Sequence, residues 1–160
     1  MPVRAASVKF FVPGRPEPQG SKSVGKYGQI YEQGAKKLKP WRDAVRIAAR
    51  AATHNRGGPF EGAIELYLEF RFLRPASHLK KNGSLRKGAP TMHVFKPDVD
   101  KLTRAILDAL SRELYDDDRQ IVGVYSSKVW TFIKALEGVQ ILAVEIRSES
   151  EVLPPEDTLD

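Results

Sequence analysis

The stretch that most constrains this chain is AIELYLEFRFL, residues 63–73. Apolar side chains occupy every second position from Ile64 to Phe72, and Glu65, Tyr67, Glu69 and Arg71 fill the alternate ones. A period of two puts the two sets on opposite faces of a β-strand, one against a core and one towards water. Any fold must therefore supply strand partners and a layer to cover the apolar face. Two segments suit that layer. Residues 40–53 start at a proline, are alanine-rich with apolar positions at helical spacing, and precede Gly57-Gly58-Pro59. From about Val99 to Arg112, Leu102, Ala105, Ile106, Ala109 and Leu110 form one helical stripe. Further strands are predicted at 7–12, near 120–131 and at 138–147, with a turn at Glu137-Gly138. The order β-α-β-α-β-β predicts an α+β fold: a single domain, with a mixed sheet of about four strands carrying two helices.

Between these elements lie two basic loops. Residues 13–37 hold three prolines and five glycines with Arg15, Lys22, Lys26, Lys36 and Lys37. Residues 74–97 hold Arg74, Lys80, Lys81, Arg86, Lys87 and Lys96. The chain carries a net charge of +6. Residues 148–160 contain five acids and no base, which leaves +11 on residues 1–147. The expected organisation is a basic domain, 1–147, followed by an acidic, disordered tail, 148–160. Such a body suits a polyanionic partner, and Arg15, Lys22, Lys26, Lys80 and Lys81 are the candidate DNA contacts. There is no cysteine, which excludes disulfides, zinc-thiolate sites and thiol nucleophiles. No run reaches transmembrane length and the first ten residues lack a signal-peptide core, so a cytoplasmic protein with no membrane partner is expected.

The chemistry concentrates in KPDVDKLTRAILDALSRELYDDDRQI, residues 96–121. Asp98 and Asp100 flank the start of a helix, where the dipole favours negative charge. A capping role accounts for one aspartate. It does not account for a second two residues on, nor for the run Asp116-Asp117-Asp118, in an otherwise basic body. Carboxylates so placed suit a hard cation, Mg²⁺ or Mn²⁺. Arg104 and Asp108 continue the polar face beyond Asp100, so Arg104 is a candidate for phosphate binding, against an ordinary i,i+4 ion pair.

Asp98-Val-Asp100-Lys-Leu102-Thr-Arg104, then Asp108-Ala-Leu110, then Asp117-Asp118-Arg-Gln-Ile121, resembles the RusA family of Holliday-junction resolvases of phages and prophages. Gly14-Arg-Pro16-Glu-Pro18-Gln-Gly20 is similar to the opening of the phage branch. Two positions depart from the pattern: Lys101 stands where asparagine is usual and Arg104 where lysine is usual. The resemblance implies a homodimeric, Mg²⁺-dependent endodeoxyribonuclease of bacterial host cells that resolves four-way junctions by paired nicks in recombination and repair. It places Asp98, Asp100 and Asp118 on the three catalytic, metal-holding aspartates and Arg104 on a functional lysine. The alternative of a different class is a non-catalytic DNA-binding accessory protein using the same basic loops.

Geometry adds an expectation of its own. Asp100 and Arg112 stand at opposite ends of the predicted helix, about 18 Å apart, and Asp118 follows the far end. One Mg²⁺ cannot bridge that gap, so a two-fold pairing of antiparallel helices would bring Asp98 and Asp100 of one chain beside Asp118 of another. The competing arrangement has residues 113–117 fold back and complete the site within one chain.

Other patterns carry less. Gly20-Ser-Lys-Ser-Val-Gly25-Lys26 is followed by Tyr27 and Gly28 rather than by a small hydroxyl and a helix, so no nucleotide cofactor is expected. Asp98-Val-Asp100 lacks the residue that the dehalogenase-type nucleophile motif requires at 102, and residues 102 and 103 break a calcium loop. His54, His78 and His93 share no ligand spacing and are expected on the surface or in loops. Trp41 and Trp130 are expected in the core rather than as base-stacking platforms.

Overall fold

The computed structural model describes residues 2–32 and 34–148. Its main sheet contains β1 (Pro2–Pro13), β4 (Ala63–Leu73), β5 (Ile121–Thr131) and β6 (Gly138–Ser148), in the order β1-β6-β4-β5. β4 is the strand whose alternation is so regular, and its burial follows the pattern: Ile64, Leu66, Leu68, Phe70 and Phe72 are buried on one face. It pairs antiparallel with β6 and parallel with β5, so the sheet is mixed. A parallel neighbour needs a long crossover, and residues 74–120 provide it. The fold is the expected α+β arrangement. β5 and β6 are not neighbours, however: the turn at Glu137 crosses the end of β4, where the buried Glu137 carboxylate accepts the Leu73 N–H at 2.7 Å.

Both helices lie on the apolar face. α1 (Ala35–Arg56) contributes Leu38, Trp41, Val45 and Ala49 to the core, and α2 (Val99–Leu110) contributes Leu102, Ala105, Ile106, Ala109 and Leu110. α1 begins five residues before the expected Pro40. Gly34, at φ 78°, turns the chain, and its carbonyl accepts the Lys37 and Leu38 N–H groups. A left-handed conformation of this kind is what glycine permits at low cost. α2 stops two residues short of Arg112, because Ser111 is extended and Arg112 sits at φ 66°. The opposite sheet face carries polar and aromatic side chains, including Tyr67 stacked on Tyr125 at 4.8 Å.

Residues 13–37 are not wholly loop. β2 (Lys22–Val24) and β3 (Ile30–Glu32) form a two-stranded hairpin outside the main sheet. Three-residue strands with exposed Val24 and Ile30 show no burial alternation to read. β1 is also longer than the expected 7–12, since β6 pairs with it from Pro13 back to Pro2 across an irregularity at Arg4/Ala6. Within 74–97, a short 3₁₀ turn (Ala76–His78) and a bridge between Leu79 and Leu85 give the loop structure. Among the described residues no helix is long and apolar enough to cross a membrane. The acidic tail expected at 148–160 lies, from 149 onward, outside the described residues.

Candidate active site

Asp98 has the backbone of an N-cap residue (φ −72°, ψ 139°), yet its carboxylate accepts no capping hydrogen bond. The capping account of this aspartate therefore fails. Its side chain is 53% exposed, with the Lys101 ammonium 3.9 Å away. Asp100, in the first turn of α2, is also exposed. Two attachments fix this end of the helix. From β5, Lys128 donates to the Phe95 carbonyl at 2.6 Å and the Pro97 carbonyl at 2.9 Å, on either side of the cis Lys96–Pro97 bond. From the Gly14–Gly20 segment, Gln19 N–H donates to Lys101 O at 3.0 Å. Between them lies a groove of about 330 Å³ where Arg15, Lys37, Lys96 and Lys101 line the walls with Asp98 and a second acid, Glu17. Of these cations the sequence argument singled out Arg15. It did not pick Lys37 or Lys128 for a role at the aspartates, because only the packing of α1 and β5 around the start of α2 brings them there, and it gave Lys96 and Lys101 no such role although they flank Asp98 in sequence.

Further along α2, Arg104 is exposed and makes no ion pair within 4.0 Å among the described residues. The i,i+4 account of this arginine has no support, since Asp108 faces Arg42 of α1 instead, at 3.9 Å. Thr103 shares a hydrogen bond of 2.7 Å with Ser126, which joins the middle of α2 to β5.

The far end of α2 leads into an acidic turn with its own supports. Gln120 Oε1 accepts the N–H groups of Asp116 and Asp117 at 2.9 and 3.1 Å, while its Nε2 donates to Phe60 O and Gly62 O at 2.8 and 3.1 Å. The Asp117 carboxylate accepts Arg119 N–H at 2.8 Å, completing a capping box with Gln120. All three acids of the triplet are exposed, and Asp118 is the one beside the buried Tyr115 hydroxyl. Burial, and then the nearby carboxylates of Asp118 and Asp108, push the Tyr115 phenol well above its ordinary pKa. The same hydroxyl donates to Leu107 O at 3.3 Å, so Asp118 lies by the last turns of α2. Asp108 is eight residues beyond Asp100, about 12 Å along the axis. Asp98 and Asp100 are therefore at one end of the helix and Asp118 near the other. Among the described residues no three of His, Cys, Asp or Glu come together as a metal site.

A family model for the endodeoxyribonuclease RusA matches residues 13–141. The chain belongs to the RusA family. The matched span includes Asp98, Asp100, Arg104, Asp118 and Gln120. The chain is also 28% identical over 132 residues to the uncharacterized protein YqaN of Bacillus subtilis (strain 168), covering 78% of this chain and 88% of that protein.

The basic residues expected to face DNA in this RusA-family chain lie in three places. Arg15 stands at the groove beside Asp98 and over the Phe72 ring at 5.7 Å. Lys22 is on β2 and Lys26 in the β2–β3 turn, 6.0 Å from the Tyr27 ring centre. Lys80 and Lys81 occupy the exposed turn closed by Gly83 N–H to Lys80 O. Gly20–Lys26, the near match to a phosphate loop, runs into the hairpin rather than into a helix. If these lysines meet phosphates, changing Lys22 and Lys26, or Lys80 and Lys81, to alanine should weaken DNA binding. The slope of log affinity against log salt should also fall by about one to two, because fewer counterions are released. Unchanged slopes in both double variants would remove these loops from the DNA surface.

Among the histidines, His93 lies in a loop as expected and has a further feature. It is buried, with its ring 4.1 Å from Trp130 and 4.6 Å from Phe72. Desolvation holds its pKa below the ordinary value. Nothing in the local sequence announces this, since its partners come from two strands more than twenty residues away.

Proposed function

We propose that this protein is a Mg²⁺-dependent endonuclease, with Mn²⁺ as a possible substitute, that resolves four-way DNA junctions by paired nicks, acting as a homodimer in recombination and repair. The observation that carries this is the family match together with an exposed Asp98 whose carboxylate makes no capping bond, set among cations in its groove, with Asp100 exposed two residues on. Carboxylates alone would repel a DNA strand, and cations alone would bind it without cutting. Together they suit a phosphodiester held beside a metal.

Asp98 and Asp100 fit Mg²⁺, which takes one or two carboxylates and completes its shell with water and phosphate oxygens. When bound, the metal would supply a Lewis acid at the scissile phosphate and a water of lowered pKa. Arg15, Lys96 and Lys101 would hold the strand across the groove. Arg104, free of ion pairs among the described residues, would meet charge that develops on the phosphate. Within one chain Asp118 lies towards the far end of α2 from Asp98 and Asp100. In the dimer we propose, it completes the site of the partner, giving two equivalent sites suited to symmetric nicks.

The separation of the three aspartates in a single chain favours the second reading, a DNA-binding accessory protein without catalysis. A labelled four-way junction distinguishes the two. Paired nicks in opposing strands, dependent on Mg²⁺ and abolished by EDTA, are the expected outcome. Salt-sensitive binding without scission, in either metal, would establish the accessory role instead.

A further inference from the structure

Beside the aspartate groove, the 74–97 loop closes over the ends of β4 and β5 to leave a cavity of about 400 Å³. Phe72, His93, Phe95 and Trp130 line it. His93 packs against both Trp130 and Phe72, and Phe95 lies 6.2 Å from Trp130. Arg74 is 7% exposed, its guanidinium 5.4 Å from the ring centres of both Trp130 and Phe132. One of its terminal nitrogens donates to Pro90 O at 2.7 Å, but its Nε has no hydrogen-bond partner among the described residues. The same holds for Nδ1 of His93, also 7% exposed, and for Nε1 of Trp130. Buried polar atoms are normally paired, so three unpaired ones on residues around a single cavity set its walls apart from an ordinary apolar core. The acid in the lining, Glu137, is not free to do so, because Leu73 N–H and the Lys134 ammonium already engage it.

The rest of the lining narrows the choice of ligand. Arg15 and Lys96 add positive charge to the aromatic walls, Lys134 being paired with Glu137. A purely apolar guest would make no use of the cations, and a free phosphate would make no use of the rings. A flat, heteroaromatic group that carries hydrogen-bond acceptors and is attached to phosphate uses both.

We propose that this cavity receives one unstacked nucleobase of the branched DNA substrate. The exposed Phe95 ring and Trp130 stack on the base, and Lys96 and Arg15 hold the flanking phosphates. This rests on the nuclease reading and adds to it a source of selectivity. Bases at a branch point unstack at less cost than bases within a duplex. The position is suitable: Arg15 and Lys96 line both the cavity and the aspartate groove. Phe95 precedes Asp98 by three residues, a span of at most roughly 11 Å. Capture of a base here would set the neighbouring phosphates at the aspartates.

The test uses the unaltered protein and a four-way junction in which 5-iodouracil replaces thymine, one position at a time, around the branch point, without divalent metal. The expected result is a photo-cross-link from one branch-flanking nucleotide to the peptide holding His93 and Phe95 or to that holding Trp130, and none from a linear duplex. Phe95→Ala, which removes a ring already 51% exposed, should lower junction affinity about tenfold and leave duplex affinity unchanged, and Phe95→Tyr should restore it. A bound junction that cross-links only elsewhere, or equal losses for junction and duplex, would overturn the base pocket while the nuclease reading stands. A protein that fails to bind the junction at all would overturn both.

Discussion

Mixing chains that carry Asp100→Asn with chains that carry Asp118→Asn is expected to restore nicking that neither variant shows alone. The expectation follows from where α2 puts its carboxylates. Asp98 and Asp100 stand at its start, and Asp118 lies beside Tyr115 and the last turns, near Asp108, which is itself about 12 Å along the axis from Asp100. If each site takes Asp98 and Asp100 from one chain and Asp118 from the other, a mixed dimer concentrates both substitutions in one site and leaves its second site intact. With random assortment, about half of the dimers are mixed and each has one working site, so about a quarter of the parental sites are recovered. The product is informative as well: single nicks should dominate over resolved junctions, because a mixed dimer can cut only one of two opposing strands. A mixture that stays inactive while mixed dimers demonstrably form would place the whole site within one subunit.

Asp→Asn at 98, 100 or 118 should each lower cleavage by at least about a thousandfold, the scale of several kcal/mol of lost stabilisation of the reacting phosphate. Junction binding should hold or tighten, since a negative charge beside the DNA is removed while Arg15, Lys37, Lys96 and Lys101 remain. All three aspartates are exposed, so melting temperature should change little. Arg104→Ala should also lose far more activity than stability, with Arg104→Lys partly active. A position whose asparagine variant cuts near the parental rate is not part of the site.

The sequence was most legible where periodicity and burial coincide. β4 keeps its alternation because helices cover one of its faces and leave the other open, and its boundaries are those read from residues 63–73. α2 shows its stripe for the same reason. The hairpin at Lys22–Glu32 was not legible, since its exposed apolar residues face no core. The start of α1 was misplaced because Pro40 looks like a first-turn proline while Gly34 makes the actual turn. At the candidate site, the aspartates stand out as chemistry in a local run of sequence. Their cationic surround does not, because Arg15, Lys37 and Lys128 reach α2 from three other segments. The aromatic cavity has the same origin: Phe72, His93 and Trp130 are far apart in the chain and meet only through the β4–β5 pairing and the loop above it.

The turn that carries Asp118 has a further consequence. Gln120 uses both its amide oxygen and its amide nitrogen, twice each, to hold the 116–117 backbone against the 60–62 corner. Neighbouring acids would ordinarily spread apart and take many conformations until a cation collected them. Here the conformational entropy of the turn is surrendered when the chain folds, so it is not subtracted again from the affinity of whatever Asp118 later binds. The side-chain amide, not the acids around it, decides how much of the binding free energy reaches the ligand.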